Sequence, residues 1–167
     1  IKAAQRFPIT TDLVLKCAQG STNVYPVHIM AALVESGVTT ELFGSLYHEL
    51  FDDGGEKSIL VKPKFSEVSE VIQAIHDAGG VAILSNPGAF EGTNIVEKAI
   101  EAGIDGFEAW CPDHDDATAE KYAALAKEKG LLAIGGSNFR GRHNRHCVTL
   151  GSVTTPDDRF TEFSNYK

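Results

Sequence analysis

The sequence is poor in cysteine and has no long apolar run. Its three cysteines, Cys17, Cys111 and Cys147, lie far apart and form neither a CxxC pair nor a Cys/His zinc motif. An odd number of widely spaced cysteines is typical of buried thiols in a reducing compartment, so we expect a cytoplasmic protein. No apolar stretch reaches the roughly 20 residues that a membrane helix needs, and residues 1–6 contain no signal-peptide core. These absences argue against a disulfide scaffold, a structural zinc site and a membrane protein.

Positive charge is also scarce. The 15 Lys and Arg residues are outnumbered by 23 Asp and Glu, which gives a formal net charge of −8 at pH 7. This acidic balance disfavours a nucleic acid polymer as the partner, because a phosphate backbone repels an acidic surface. One local cluster is basic and contains Arg140, Arg142, His143, Arg145 and His146. We interpret it either as a solvated loop or as an anion site, since Arg side chains pair well with phosphate.

Two familiar catalytic patterns are missing as well. The sequence shows no Ser-His-Asp arrangement, and Gly135-Gly136-Ser137 lacks the lysine and the length of a phosphate-binding P-loop. We expect these three residues to form a tight turn that exposes Asn138.

The first part of the chain has a helical pattern only. Apolar residues recur at helical spacing over 10–20, 26–37 and 40–54, and each segment stops at glycine. Three short helices bury little by themselves, so we expect them to pack on the rest of the chain. The pattern predicts a small all-helical domain over residues 1–57.

Residues 58–167 alternate between helical and strand patterns. Apolar faces at helical spacing over 68–75, 95–100 and 117–129 each end at glycine, and short apolar runs follow at 81–84, 104–110 and 131–134. Asp115 or Asp116 is predicted to cap the third of these helices. A further strand is predicted at 148–153 and a polar tail at 156–167. Repeated helix, glycine and strand are typical of βα units, so we predict an α/β fold with a parallel sheet or barrel.

Polar residues follow three of the predicted strands. The first strand is followed by Ser85-Asn86-Pro87-Gly88, the second ends in Glu108 to His114, and the third leads into Ser137-Asn138-Phe139-Arg140. The carboxyl ends of parallel strands lie at one edge of a sheet, where active sites are commonly built. We therefore expect these segments to converge on one site.

The same segments resemble the PHP family (polymerase and histidinol phosphatase domain). AGGVAILSNPG is similar to AGGVAVLAHPG of that family, AGIDGFEAWCPDH to GxDGIEVYxPxH, and GLLAIGGSNFRG to GLLxTGGSDFHG. Upstream, TNVYPVHIMAALVESG is similar to TNxxRPHIAxALVExG of the helical insertion of the family. The resemblance covers nearly the whole chain, in order.

The resemblance implies a fold and an activity. The fold would be part of a distorted (β/α)7 barrel over residues 58–167, with the helical insertion domain at 1–57. The activity would be metal-dependent hydrolysis of phosphate esters on a small phosphorylated metabolite or nucleotide, with Zn, Mn, Fe or Mg as the divalent metal. The HxH motif of the family is absent from the chain, so we expect either a missing N-terminal segment or a homo-oligomer.

The metal-ligand positions of the family are altered. Its His, Asp and His ligands fall on Asn86, Asn138 and Arg140. Asn is neutral and a weaker ligand than imidazole or carboxylate. A pair of unit charges about 4 Å apart interacts by roughly 4 kcal/mol at an effective dielectric of about 20, so Arg140 beside a divalent ion would be repelled by roughly 8 kcal/mol. The alternatives are therefore a metal-dependent phosphoesterase that retains Asn ligands, a metal-free pseudo-enzyme that holds an anion with Arg140, Arg142 and Arg145, and a structural subunit.

Three further residues match family positions. The resemblance implies catalytic roles for Glu108 and His114 and a substrate-binding role for His28. The bland alternatives are a hydrogen-bonded buried carboxylate for Glu108, an exposed loop histidine for His114, and a histidine in the first turn of a helix for His28.

Overall fold

The computed structural model describes residues 1–52, 54–61, 64–144 and 147–166. The chain divides into two compact units, Ile1–Pro63 and Lys64–Lys167. The first is helical and the second combines helices with a parallel sheet. Within the described ranges, no helix is both long and apolar enough to cross a membrane.

The helical unit contains α1 (Thr11–Cys17), α2 (Pro26–Glu35) and α3 (Ser45–Phe51). Thr10 caps α1, because its hydroxyl accepts a hydrogen bond from the Leu13 N–H at 3.1 Å. Proline opens α2, where a missing N–H is tolerated. The core of the unit is formed by buried apolar side chains, among them Ile9, Met30, Leu33 and Leu50.

The third helix begins later than its pattern predicts. The prediction placed its start near Thr40, whereas α3 begins at Ser45. The hydroxyl of Thr39 accepts a hydrogen bond from the Glu41 N–H at 3.2 Å, a local bond that competes with helix formation. The chain then turns at Gly44, where the Glu41 carboxylate occupies the space that a Cβ would need.

The α/β unit is built on three parallel strands. These are β1 (Ile83–Leu84), β2 (Gly106–Trp110) and β3 (Leu132–Gly135), in the spatial order β1-β2-β3. Ile83 pairs with Gly106, and Gly106 with Leu132. The helices α4 (Val68–Asp77), α5 (Ile95–Glu101) and α6 (Asp116–Lys129) precede or connect the strands. The predicted α/β class and parallel sheet are therefore confirmed.

The core and caps of this unit follow the predicted pattern. The strand side chains Phe107, Ala109 and Ala133 are buried against Ala99 of α5 and Tyr122 of α6. Gly130 ends α6 with φ +68°, a left-handed conformation that glycine adopts without steric cost. Asp115 caps the same helix by accepting a hydrogen bond from the Thr118 N–H at 2.8 Å, which confirms one of the two predicted caps.

Three predicted elements of the α/β unit need correction. The first strand covers only two residues of the predicted 81–84. The predicted strand at 148–153 is not a strand; the segment turns at Gly151, whose N–H donates to Ser137 Oγ at 3.1 Å. The predicted polar tail contains a helix, α7 (Asp157–Ser164), because two aspartates stabilise its first turn and the helix packs against β3. The described strands form this three-stranded sheet, and the predicted barrel and insertion stay predictions.

Candidate active site

Glu108 links β2 to the end of β1. Its side chain, in the middle of β2, is buried at 8% exposure. Its Oε2 accepts a hydrogen bond from the Asn86 N–H at 2.9 Å and another from the Ser85 hydroxyl. The segment that follows β1 is thus joined to β2 through one buried carboxylate.

Asn86 begins the turn after β1 in a left-handed conformation. Its φ is 45° and its ψ 57°, and a 3-10 turn over Pro87–Phe90 follows. Asn is one of the few residues other than glycine that tolerate this region. Its side-chain Nδ2 donates to Asp113 Oδ2 at 3.1 Å. An asparagine at position 86, where the resemblance implies a histidine ligand, is therefore also favoured by the backbone conformation.

His114 is held at both ring nitrogens. Its Nε2 lies 3.1 Å from the Gly88 nitrogen, and its Nδ1 lies 2.7 Å from the Ala109 carbonyl oxygen. The ring stacks on Tyr122, with a centroid separation of 5.7 Å and an interplanar angle of 22°. The Tyr122 hydroxyl donates to the Pro87 carbonyl at 3.2 Å. The imidazole is therefore wedged between the turn after β1 and helix α6.

The third strand end lies beside Glu108 but is held by later residues. A Cβ built on Gly136 would lie 3.8 Å from Glu108 Oε1, so the second oxygen of this carboxylate faces the Gly136 side. Asn138, like Asn86, has a positive φ, 49°. The Asn144 side chain bridges its loop by donating to the Asn138 carbonyl at 2.9 Å and accepting from the Arg140 N–H. Together the three strand ends form one polar edge, called the rim below: Ser85–Gly88, Glu108–His114 and Ser137–Arg140.

The predicted phosphate-binding residues lie in two parts of the chain, the loop after β3 and helix α2. Arg140 is exposed on the rim. Arg142 belongs to a 3-10 turn, Gly141–His143, and its side chain lies outside the described structure, as does the whole of Arg145. His28 belongs to the helical unit, is buried at 5% exposure, and accepts a hydrogen bond from the Tyr25 N–H through Nδ1 at 3.1 Å. The predicted roles of these residues stay predictions.

Sequence reasoning missed several residues that build the rim. Tyr122 and Asn144 each bond to a predicted site segment from elsewhere in the chain. Thr155 also contributes, because its hydroxyl accepts from the Gly135 N–H at 2.9 Å. No local motif marks these residues. The one signal was the helical spacing of apolar residues in α6, which placed Tyr122 on the inward face of that helix.

The donor set of the rim does not fit a resident divalent metal by itself. Among the residues that the structure describes, no three His, Cys, Asp or Glu side chains are grouped so as to hold an ion. The Nε2 lone pair of His114 is engaged by Gly88, the Asn86 amide points its nitrogen at Asp113, and Arg140 stands at a third ligand position. Burial raises the pKa of the nearby Cys111 thiol, which disfavours a thiolate ligand there.

Comparison with known proteins relates the chain to phosphoesterases. No protein-family model matches it. A phosphoribosyl 1,2-cyclic phosphate 1,2-diphosphodiesterase of Eggerthella lenta is 28% identical over 141 residues, 83% of this chain and 52% of that protein. A 3',5'-nucleoside bisphosphate phosphatase of Chromobacterium violaceum is 27% identical over 139 residues, 77% of this chain and 48% of that protein. The chain thus spans about half the length of the curated relatives it matches.

Two solved structures share the fold. One, from Bifidobacterium adolescentis, is provisionally assigned as a metal-dependent phosphoesterase; it has a TM-score of 0.77 and 26% identity, over 95% of this chain and 57% of that one. The other is an amidohydrolase from Chromobacterium violaceum with bound sulfate and no metal, with a TM-score of 0.65 and 23% identity over 91% of this chain and 55% of that one. The chain is therefore a relative of phosphoesterases, as its motifs predicted.

Proposed function

We propose that the protein hydrolyses phosphate esters of small molecules at the rim. The observation that carries this proposal is the buried carboxylate of Glu108, which joins β2 to the turn after β1 and has its second oxygen on the side of Gly136 after β3, in a chain whose relatives are named as phosphoesterases. Both relatives are named for sugar or nucleoside phosphates, which supports a substrate of that size and charge. These relatives favour the hydrolase over the predicted alternative of a metal-free anion-binding module.

We assign the described rim residues to binding and orientation. The exposed guanidinium of Arg140 provides the positive charge that a phosphate requires. The amides of Asn86 and Asn138, whose backbones are left-handed, are neutral hydrogen-bonding groups of the same rim. Glu108 holds the turn that begins at Asn86 by accepting a hydrogen bond from the Asn86 N–H. His28, Arg142 and Arg145 stay proposed phosphate-binding residues.

A divalent metal, Zn, Mn, Fe or Mg, is part of the proposal through the phosphoesterase relatives. When bound in such enzymes, a metal polarises the phosphoryl oxygen and lowers the pKa of water. The described side chains do not provide a complete ligand set, so we propose that ligands beyond Asn86 and Asn138 are required. The cytoplasmic location also stays a prediction.

The larger architecture is proposed on two observations. The helix–strand order of residues 68–135 and the Bifidobacterium neighbour, which covers 95% of this chain, support a part of a distorted (β/α)7 barrel. In the helical unit, Ile1 and Val61 line the same apolar cavity, so the two ends of that unit lie near each other. Neighbouring ends are what a domain inserted into another fold requires.

Phosphate release tests the proposed function. The assay uses ribose cyclic phosphates and nucleoside 3',5'-bisphosphates, with chelator or with added Mn²⁺, Zn²⁺, Fe²⁺ or Mg²⁺. We expect turnover with at least one metal and a loss of about 10- to 100-fold in kcat/KM for Arg140→Ala, the worth of a hydrogen bond to a charged group. Arg159→Ala is the matched control, because this arginine lies on α7, outside the rim, and pairs with Glu162 of the same helix.

Two outcomes would contradict the proposal. Absence of phosphate release with every metal and substrate would overturn hydrolysis. Phosphate binding that depends on Arg140 without any turnover would instead support the anion-binding module.

A further inference from the structure

The turn after β1 is fixed by side chains from the second strand end. This turn, Ser85–Phe90, is called the Asn86 turn. Each of its residues from 85 to 88 is contacted by a side chain of β2, of the loop after it, or of α6. These contacts come from Glu108, Asp113, His114 and Tyr122.

The contacts of His114 define its tautomer. The Gly88 backbone nitrogen can only donate, so the Nε2 atom 3.1 Å away must accept and carries no proton. The Ala109 carbonyl can only accept, so Nδ1, at 2.7 Å, must carry the proton. The ring is therefore neutral, and both of its polar atoms are committed to backbone groups of the fold.

The space around the ring is as specific as its hydrogen bonds. A Cβ on Gly88 would lie 2.7 Å from His114 Nε2 and 3.1 Å from Thr118 Cγ2, so only glycine fits there without displacement. Tyr122 covers the ring by stacking and reaches past it to the Pro87 carbonyl. Glycine, histidine and tyrosine thus form one clamp, which holds the Asn86 turn on α6.

We propose that His114 is a positioning residue that acts through Asn86, rather than a group that exchanges protons with substrate. A general acid or base needs a proton or lone pair directed at the reacting atoms, and the clamp occupies both nitrogens of this ring. By fixing Gly88 and Pro87, the clamp keeps Asn86 in its left-handed conformation with the amide on the rim. The effect of the clamp on turnover rests on the proposed phosphoesterase function, whereas the existence of the clamp does not.

Nuclear magnetic resonance of the full chain, uniformly labelled with ¹⁵N, tests the clamp without any need for activity. The His114 signals are assigned by their loss in His114→Gln. We expect a protonated Nδ1 and an unprotonated Nε2 near neutral pH, and an amide proton of Gly88 that is protected from exchange. A protonated Nε2, or an unprotected Gly88 amide in the folded wild-type chain, would overturn the proposal.

Two conservative variants separate positioning from proton transfer. Glutamine places a carbonyl oxygen near the Nε2 position and can still accept a hydrogen bond from the Gly88 N–H. The shorter asparagine places its amide nitrogen near the Nδ1 position, so it keeps the hydrogen bond to the Ala109 carbonyl and loses the one from Gly88. We expect His114→Gln to lose only about fivefold in kcat/KM, close to one neutral hydrogen bond, and His114→Asn to lose clearly more. Losses of about 100-fold or more in both variants would indicate a general acid or base and contradict the proposal.

Tyr122→Phe provides a second test in case His114→Asn does not fold. It retains the stacked ring and removes only the hydrogen bond to Pro87, so we expect a small loss of activity with the Nδ1–H tautomer unchanged. A changed tautomer would contradict the clamp. If the resonance data hold and no phosphate ester is hydrolysed, the proposed function fails and the clamp is supported.

Discussion

The carboxylates of Asp105 and Glu108 lie close together in the chain, and the two are used differently. Asp105 directly precedes β2, is partly buried, and accepts hydrogen bonds from the Ala82 N–H, His76 and the Tyr166 hydroxyl, at 2.6, 2.8 and 2.7 Å. Glu108, a buried residue in the middle of β2, accepts from the Asn86 N–H and Ser85 through one oxygen, while the other faces Gly136. Both carboxylates join β2 to the segment around β1.

The different partners of the two carboxylates indicate that Asp105 stabilises the fold and that Glu108 supports the chemistry of the rim. The partners of Asp105 tie α4 and Tyr166, which lies just beyond α7, to the amino end of the strands, which is usually structural. Glu108 lies farther along β2, and its partners are residues of the rim. We therefore expect substitutions at Asp105 to change mainly the free energy of unfolding and substitutions at Glu108 to change mainly turnover.

Loss of the Asp105 side chain should have the largest effect on stability. Asp105→Ala leaves a backbone N–H and two side-chain donors without their acceptor, so we expect the free energy of unfolding to fall by about 3 kcal/mol. Urea unfolding followed by circular dichroism measures the change. A loss below about 0.5 kcal/mol would show that water replaces these bonds freely.

The charge of Asp105 should affect how the free energy of unfolding changes at acidic pH. Burial by itself would raise the pKa of Asp105, but hydrogen bonds from Tyr166, Ala82 and His76 bring it below its usual value of 3.8. Because folding lowers this pKa, the ionised group stabilises the fold above the unfolded-state pKa, and this contribution is lost as the pH falls through the folded-state pKa. Asp105→Asn should therefore reduce the pH dependence of unfolding below about pH 4; an unchanged acid limb would contradict this.

A methyl group on Gly88 should have an intermediate effect. Gly88→Ala places a Cβ 2.7 Å from His114 Nε2, and the clamp must move to admit it. We expect a loss of about 2 kcal/mol in the free energy of unfolding. The matched control is Gly136→Ala, whose Cβ meets nothing closer than 3.8 Å. Equal thermal midpoints for the two variants would show that the clamp is loose.

Tyr166→Phe should have the smallest effect. It removes one hydrogen bond to Asp105, so we expect a loss of about 0.5–1 kcal/mol at neutral pH. The hydrogen bond to Asp105, with burial, raises the pKa of Tyr166 above 10.0. The neutral phenol therefore stabilises the fold below its unfolded-state pKa, and this contribution is lost as the pH rises through the folded-state pKa. Alkaline unfolding curves of the two proteins should converge, and parallel curves would contradict the assignment.

The order of the α/β elements was predictable because its signals are local. An apolar face, a glycine such as Gly130 and a short apolar run specify helix, end and strand without reference to distant residues. The cap at Asp115 belongs to the same class. Helix α7 was missed because it packs against β3, a contact with an earlier segment that no local pattern indicates.

The site was predictable only as a meeting of strand ends. Parallel topology brings Ser85, Glu108 and Asn138 to one edge, and this follows from the order of elements. The clamp of Gly88, His114 and Tyr122 does not follow, because it depends on backbone positions within a few tenths of an ångström. The left-handed backbones of Asn86 and Asn138 likewise give these residues a role that ligand motifs alone do not indicate.

The most direct test of this account compares matched amide substitutions at Glu108 and Asp105. Glu108→Gln and Asp105→Asn each exchange a hydrogen-bonded carboxylate for its amide, and kcat/KM for nucleoside 3',5'-bisphosphate hydrolysis is measured for both. We predict a loss of about 100-fold for Glu108→Gln, because the turn that this carboxylate holds is no longer fixed in place, and for Asp105→Asn a rate within about fivefold of the wild type despite reduced stability. Equal losses in the two variants, or full activity in Glu108→Gln, would contradict the assignment of chemistry to the rim.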